Sequence, residues 1–235
     1  MSRLLTLENV HTHIGQYHIL QGVSLTAEEG EVTVLLGRNG AGKTTTLRTI
    51  MGLNPATSGT IHYGGQDITK LPTFSIANGG IGYVPEDQAV FTTLTVEENL
   101  KVAMRKEDEA AMARQDYVLT LFPDLKKFWK KEGGHLSGGQ KQMLAMARAF
   151  VNDNRLMLID EPSKGLAPIV IESVMEAIRE MKKQTTIILV EQNFSMAAGV
   201  GDTYTLIDDG ETVQSGRMED LVRDEELKRT YLGIA

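Results

Sequence analysis

The chain has 235 residues, a formal net charge of −7, 41% apolar residues and only 6% aromatic residues. This length suits one large α/β domain, or a core with a smaller subdomain, and is sufficient to bury a substantial core. An acidic chain with few aromatics lacks both the basic excess of a duplex-binding protein and the stacking platforms of a single-strand binder. Nucleic acid is therefore not an expected partner.

Composition also bears on the expected cellular location. No cysteine is present, which excludes disulfides and thiolate chemistry and fits a reducing compartment. The sequence reaches Glu8 too early for the apolar region of a secretory signal. The longest apolar runs, such as Ile187–Val190, have the length of a strand and not of a membrane span. If the chain serves a membrane process, we expect it to dock from the cytosol.

The N-terminal part of the chain is predicted to be rich in strands. Hydrophobic periodicity predicts strands at Leu4–Val10, Ile19–Leu25, Glu31–Leu36, Gly59–Tyr63 and Ile81–Val84, with a helix over Thr44–Leu53. The first two of these strands are expected to pair antiparallel. From Thr95 to Lys131 the pattern is helical and polar without strand-like runs, which predicts a helical subdomain.

The remaining chain alternates between the two kinds of element. A helix is predicted to end at Phe150, and the segments that follow are strands at Leu156–Asp160, Thr186–Val190, Thr203–Ile207 and Glu211–Gln214, and helices at Pro168–Lys182, Phe194–Val200 and Met218–Tyr231. Alternating strands and helices predict an α/β fold with a largely parallel sheet, helices on both faces and an added antiparallel sheet from the N-terminal strands.

A phosphate-binding loop is predicted between the third strand and the first helix. The segment Gly37-Arg38-Asn39-Gly40-Ala41-Gly42-Lys43-Thr44 matches the pattern G-x-x-x-x-G-K-[ST] in its required context. Its glycines allow backbone N–H groups to surround phosphate oxygens, and the helix start adds partial positive charge. We expect Lys43 to reach the β- and γ-phosphates and the Thr44 hydroxyl to hold Mg²⁺, with Thr45 completing the nucleotide-binding residues.

Two carboxylates follow the apolar run Leu156–Ile159. A buried strand that ends in Asp160 places its charge at the carboxyl edge of the sheet, where ligands of open α/β folds bind. Behind a phosphate loop, Asp160 is expected to hold the water shell of Mg²⁺, and Glu161 to orient and deprotonate the attacking water.

The most specific motif is Leu136-Ser137-Gly138-Gly139-Gln140. Ser137 and the glycine amides at a helix start form a second predicted anion site. One chain does not need two sites for a γ-phosphate, so this second site requires another explanation.

Together these motifs resemble a nucleotide-binding subunit of an ATP-binding cassette (ABC) transporter over essentially the full length. The subgroup of branched-chain amino acid importers is the most similar, with urea or amide importers nearly as similar. Besides the phosphate loop, the segments that resemble this subgroup are Tyr83–Glu86, Leu94–Leu100, Glu161–Pro168 and Val190–Asn193. The resemblance implies a P-loop NTPase (RecA-like) fold in a single domain over residues 1–235. Residues 1–86 and 154–235 would form the nucleotide-binding core with its antiparallel β subdomain, and 87–153 the helical subdomain with the signature.

The resemblance also assigns roles to residues that depart from the general ABC pattern. Glu86 stands where a glutamine normally contacts Mg²⁺, and Gln192 where a histidine normally contacts the γ-phosphate. Ile14 replaces the aromatic residue that stacks on adenine, and Tyr17 or His13 are alternatives for that contact. The importer subgroup shares Glu86 and Gln192, so these departures do not imply an inactive enzyme.

The implied function is ATP hydrolysis coupled to solute import. Two ABC subunits, identical or different, would bind ATP between the phosphate loop of one and the signature of the other. Transmembrane permease subunits would dock near Glu86, and a solute-binding protein would act through them, which places the chain at the cytoplasmic face of a bacterial inner membrane. The alternatives are an ATPase for urea, amide, lipid or lipopolysaccharide transport, and a regulatory subunit that binds ATP without hydrolysis.

Overall fold

The computed structural model describes residues 2–233, which fold around a six-stranded sheet of order β10-β9-β3-β8-β7-β6. The five strands from β9 to β6 are parallel, and β10 pairs antiparallel with β9. A second, antiparallel sheet has the order β2-β1-β4-β5. The strands are β1 Arg3–Ile14, β2 Tyr17–Glu28, β3 Val32–Leu36, β4 Ser58–Tyr63, β5 Gln66–Asp67, β6 Ile81–Val84, β7 Leu156–Asp160, β8 Thr186–Val190, β9 Thr203–Asp208 and β10 Glu211–Arg217. The predicted α/β class is confirmed.

Helices connect the strands and cover the parallel sheet. They are α1 Lys43–Ile50, α2 Thr73–Asn78, α3 Val96–Ala103, α4 Glu109–Leu121, α5 Pro123–Lys127, α6 Gly138–Phe150, α7 Pro168–Met181, α8 Phe194–Val200, α9 Met218–Arg223 and α10 Glu225–Leu227, with a 3₁₀ turn at Gly133–His135 and a π-helical turn at Lys228–Leu232. Within residues 2–233, no helix is long and apolar enough to cross a membrane.

The central strands are buried on both faces because their successive side chains enter two different hydrophobic clusters. In β7, Met157 and Ile159 pack into a cluster with the helical segment, while Leu156 and Leu158 pack into a cluster with the antiparallel sheet. The carboxyl end of β7 is therefore packed on both faces, directly before the residues that follow it at the edge of the sheet.

The predicted helical stretch is divided into three helices, α3, α4 and α5. Thr95 and Glu98 form a capping box that starts α3, and Asp108 accepts a hydrogen bond from the Ala111 backbone N–H at the start of α4. Asn99 is fully buried and bonds the backbone of Phe91, which fixes the loop between β6 and α3. The elements α2 and β5 were not predicted, and β1 extends four residues beyond its predicted end, to Ile14.

Candidate nucleotide-binding site

Four adjacent parallel strands end at one edge of the central sheet, and each is followed by a segment that carries predicted site residues. The phosphate loop follows β3, Gln192 follows β8, Glu161 follows β7 and Glu86 follows β6. A cavity of about 680 Å³ opens there; its lining residues are Ile19, Asn39, Gly40, Gly42, Lys43, Thr44, Thr45, Glu86, Glu161, Ser163, Lys164, Glu191, Gln192 and Asn193. The fold therefore brings most of the predicted phosphate loop together with Glu86, Glu161 and Gln192.

The phosphate loop depends on glycine at two close approaches. A Cβ at Gly37 would overlap the carbonyl oxygen of Ile207, and a Cβ at Gly42 would lie 2.9 Å from Leu20 Cδ2. Gly42 has φ 106° and forms the N-cap of α1, a conformation that favours glycine. The backbone thus turns directly into α1, whose first residues, Lys43, Thr44 and Thr45, line the cavity.

Lys43 is only 5% exposed and lies across its own loop. Its ammonium group donates to the carbonyl oxygens of Gly37 at 2.9 Å and Arg38 at 3.0 Å. Burial lowers the pKa of Lys43, and the nearby carboxylates of Glu161, Asp160 and Glu191 oppose that shift. The loop therefore holds a cation where a phosphate can replace the carbonyl oxygens as its partner. The side chain of Arg38 instead donates to the carbonyl oxygen of Thr230 at 3.2 Å.

The Thr44 hydroxyl donates to Asp160 Oδ1 at 3.1 Å, and the Tyr83 hydroxyl lies 3.4 Å from Asp160 Oδ2. Burial raises the pKa of Asp160 to about 6, assisted by the charges of Glu161 and Glu86 and opposed by the Thr44 hydrogen bond. The site offers hydroxyl and carboxylate oxygens, which are the ligands Mg²⁺ prefers when phosphates and water supply the rest. These residues fit that cation.

Glu161 is 8% exposed and adopts φ 45°, an uncommon conformation for a residue with a side chain. Its Oε1 accepts a hydrogen bond from the Gln192 amide, and its Oε2 lies 3.8 Å from the Lys164 ammonium. Lys164 also forms an ion pair with Glu86, which is the one contact of Glu86 with a cation within residues 2–233. Glu161 and Gln192 are therefore in direct contact, whereas Glu86 contacts Lys164 and not Asp160.

Glu191 is a functional candidate that the sequence did not indicate. It is 2% exposed, and its Oε1 accepts from the Ser163 hydroxyl and from the backbone N–H groups of Gln192 and Asn193, each at 2.8 Å. Burial raises the pKa of Glu191, and these hydrogen bonds oppose the shift. Glu191 thus joins the loop that carries Glu161 to the loop that carries Gln192.

The signature lies at the start of α6 and contributes no residue to the cavity lining within the described part of the chain. Ser137 and Gln140 form a capping box, and Ser137 and Gly138 are exposed. A Cβ at Gly139 would lie 2.7 Å from Val170 Cγ1 in α7, while one at Gly138 would meet no atom within 4 Å. The helix start is therefore open to a ligand from outside this chain.

Ile14 ends β1 at the tip of a hairpin, where it pairs with Tyr17 and is 44% exposed. The cavity is lined instead by Ile19 from the next strand. Within this hairpin, His13 on β1 stacks on His18 on β2 with ring centroids 4.2 Å apart. Ile14, Tyr17 and His13 therefore all lie on the hairpin whose second strand contributes Ile19 to the cavity.

Comparisons with known proteins agree with this geometry. The family model described as ABC transporter matches residues 20–164. The high-affinity branched-chain amino acid transport ATP-binding protein BraG of Pseudomonas aeruginosa is 38% identical over 232 residues, covering 98% of this chain and all of BraG. The lipopolysaccharide export system ATP-binding protein LptB of Haemophilus influenzae is 31% identical, covering 98% of this chain and 97% of LptB.

A solved structure of an ATP-binding subunit of an ABC transporter superposes with a TM-score of 0.83 at 28% identity, covering 98% of this chain and 96% of that one. The family match spans more than half of the chain, and the relatives span nearly all of it. The arrangement of phosphate loop, paired carboxylates and signature is thus that of an ATP-binding cassette, and the chain belongs to the ABC transporter family.

Proposed function

We propose that the chain binds ATP with Mg²⁺ and hydrolyses it to ADP and phosphate as the energy-coupling subunit of an importer for branched-chain amino acids. The observation that carries this proposal is the position of Glu161. Its buried carboxylate lines the same cavity as Lys43 and Thr44, and Gln192 holds it from one side. A carboxylate fixed beside a phosphate-binding loop is placed to accept the proton of an attacking water.

The other residues of the site have separable roles in this proposal. Lys43 and the N–H groups of the loop and α1 neutralise the β- and γ-phosphates. Thr44 and Asp160 would hold Mg²⁺, which would supply charge neutralisation at the phosphates, whereas Glu86 is paired with Lys164. Gln192 is in contact with Glu161, so its amide is placed to orient the carboxylate and to donate to the γ-phosphate.

The exposed signature supports a dimer. An open helix start with Ser137 and Gly138 exposed offers backbone donors to an anion that its own cavity does not hold. In the proposed dimer these donors bind the γ-phosphate of ATP on the facing subunit, so ATP favours closure and ADP does not. The partner is either a second copy or a related ATPase. Two equally hydrolysing sites in the purified chain would favour the homodimer.

The similarity to BraG supports import of branched-chain amino acids, and the lower identity to LptB makes lipopolysaccharide export the second candidate. Permease subunits are proposed to dock beside Glu86 from the cytoplasmic side. Two exposed aromatic residues lie before and after β6 in the chain: Phe74 on α2 is 69% exposed, and Phe91 in the loop after β6 is 45% exposed. Deleting the gene should abolish uptake of leucine in its host; unchanged uptake would contradict the assignment of the solute.

The hydrolysis proposal is tested by Glu161→Gln. We expect phosphate release to fall by roughly 10²–10⁴-fold, because the variant retains the hydrogen-bonding shape but loses the base. Size-exclusion chromatography with Mg·ATP should then show a stable dimer. The matched control is Glu180→Gln, which changes a partly exposed glutamate on α7 that pairs with Lys183. An unchanged rate in Glu161→Gln would refute catalysis by this residue, and a regulatory subunit would show no turnover in the wild type either.

A further inference from the structure

Lys164 occupies a position that the motifs do not explain. It lies three residues after Glu161, lines the nucleotide cavity, and has a side chain that is 60% exposed. Its ammonium group forms an ion pair with Glu86 Oε1 and lies 3.8 Å from Glu161 Oε2. One lysine therefore connects the segments that follow β6 and β7.

The charged side chains around the cavity are mostly acidic, so the partner of each lysine matters for the binding of an anion. The carboxylates of Glu86, Asp160, Glu161 and Glu191 lie at this edge of the sheet, and the lysines that line the cavity are Lys43 and Lys164. The Lys43 ammonium is engaged with carbonyl oxygens of its own loop. The Lys164 ammonium instead pairs with a carboxylate, that of Glu86. Lys164 is thus available to compensate Glu86.

We propose that Lys164 is a positioning residue that pairs with Glu86 and holds its carboxylate away from the nucleotide phosphates. The ion pair of Glu86 and Lys164 then carries no net charge toward the nucleotide. The inference deepens the proposed function, since it concerns the same nucleotide site. Without Lys164, the carboxylate of Glu86 would face a polyanion in the same cavity. With both charges removed, the repulsion would disappear as well.

The test measures binding of a fluorescent ATP analogue, mant-ATP, to the full chain, with EDTA and with Mg²⁺. Lys164→Met should weaken binding in EDTA roughly threefold to fivefold, the range of an exposed ion pair. Lys164→Arg should retain wild-type affinity. The double variant Lys164→Met with Glu86→Gln should return to within about twofold of wild type. Lys183→Met, which changes an exposed lysine paired with Glu180, is the matched control and should bind as wild type does.

Two results would overturn the inference. One is wild-type affinity of Lys164→Met, which would show that Lys164 does not compensate Glu86. The other is a double variant that binds as weakly as Lys164→Met, which would show that Lys164 attracts the phosphates directly. A KM that rises in Lys164→Met while kcat stays nearly constant would support the inference further. If the wild type binds the analogue but releases no phosphate, the hydrolysis proposal fails while the binding cycle still tests the pair.

Discussion

The role of Glu191 gives the sharpest prediction from the structure. This buried carboxylate is the common acceptor for the Ser163 hydroxyl and for the backbone N–H groups of Gln192 and Asn193. A fourth donor, the Ser163 backbone N–H, lies 3.4 Å from its other oxygen. Glu191→Ala removes the acceptor and leaves these donors unpaired between two loops of the site.

The cost of Glu191→Ala follows from the number of donors. Each buried donor without an acceptor costs about 1–3 kcal/mol. The Ser163 hydroxyl can rotate, and Gln192 is exposed enough for water to reach its backbone, so the full sum is not expected. We expect a loss of about 3 kcal/mol in the free energy of unfolding, which lowers Tm by about 6–12 °C for a protein of this size.

Glu191→Gln is the matched variant, because its carbonyl oxygen can keep the three donors of Oε1. Since burial raises the pKa of Glu191, the folded protein holds that proton more tightly than the unfolded chain does. The ionised wild type therefore carries a stability cost that is complete above the folded-state pKa and absent below the usual value of 4.5. Glu191→Gln lacks this cost, so its free energy of unfolding should lie within about 1 kcal/mol of that of the wild type at neutral pH. The stability of the wild type relative to Glu191→Gln should increase as the pH falls through the folded-state pKa of Glu191.

Thermal unfolding followed by circular dichroism without nucleotide measures both variants. Equal losses of Tm in Glu191→Ala and Glu191→Gln would show that the charge, and not the shared acceptor, stabilises the loops. A Tm of Glu191→Ala within about 2 °C of wild type would refute the hydrogen-bond argument altogether. Where the Tm of Glu191→Gln exceeds that of the wild type, lowering the pH should reduce the difference. An increase in this Tm difference at lower pH would contradict the direction of the pKa shift.

Two further predictions concern the loops around the site. Gly37→Ala should abolish nucleotide binding, measured by titration calorimetry, because the added Cβ would overlap the Ile207 carbonyl oxygen. The Cβ of Gly40→Ala would meet no atom within 4 Å, so this variant should retain binding, at a cost of about 1–2 kcal/mol for the left-handed backbone conformation. Asn99→Ala should lower the free energy of unfolding, measured by urea titration, by about 2–4 kcal/mol, because the buried Asn99 amide forms hydrogen bonds with the backbone of Phe91, Leu94 and Thr95. A loss below about 1 kcal/mol would show that water replaces the amide as the hydrogen-bond partner.

The strands of the central sheet could be predicted from the sequence because each is a short apolar run between turn signals. Both Leu156–Asp160 and Thr186–Val190 have their predicted bounds. The helix α2 was missed because its six residues are too few to show helical periodicity, and only Ile76 among them is buried. The long bulged pairing of β1 with β2 extends past the predicted end because register shifts interrupt the alternation.

The site could be predicted where chemistry is carried by a local motif and not where it depends on distant partners. Thr44 and Asp160, which their separate motifs assigned to one Mg²⁺ site, are in hydrogen-bond contact. In contrast, nothing near Glu191 in the sequence indicates that Ser163 will supply two of its donors, and nothing near Lys164 indicates a contact with Glu86. Such contacts arise only when β6, β7 and β8 lie side by side, which the local sequence does not encode.

The charge balance of the site also limits what can bind there. Four carboxylates and two lysines leave an excess of negative charge at the edge of the sheet where we propose that the triphosphate binds. Backbone N–H groups of the phosphate loop and α1 supply part of the compensation, but they carry only partial charges. In the proposed function, a cation that arrives with the nucleotide and is held by Thr44 and Asp160 would supply the remainder. We therefore predict that the chain binds ATP more tightly with Mg²⁺ than in EDTA, and that the Glu86–Lys164 ion pair limits this dependence on Mg²⁺.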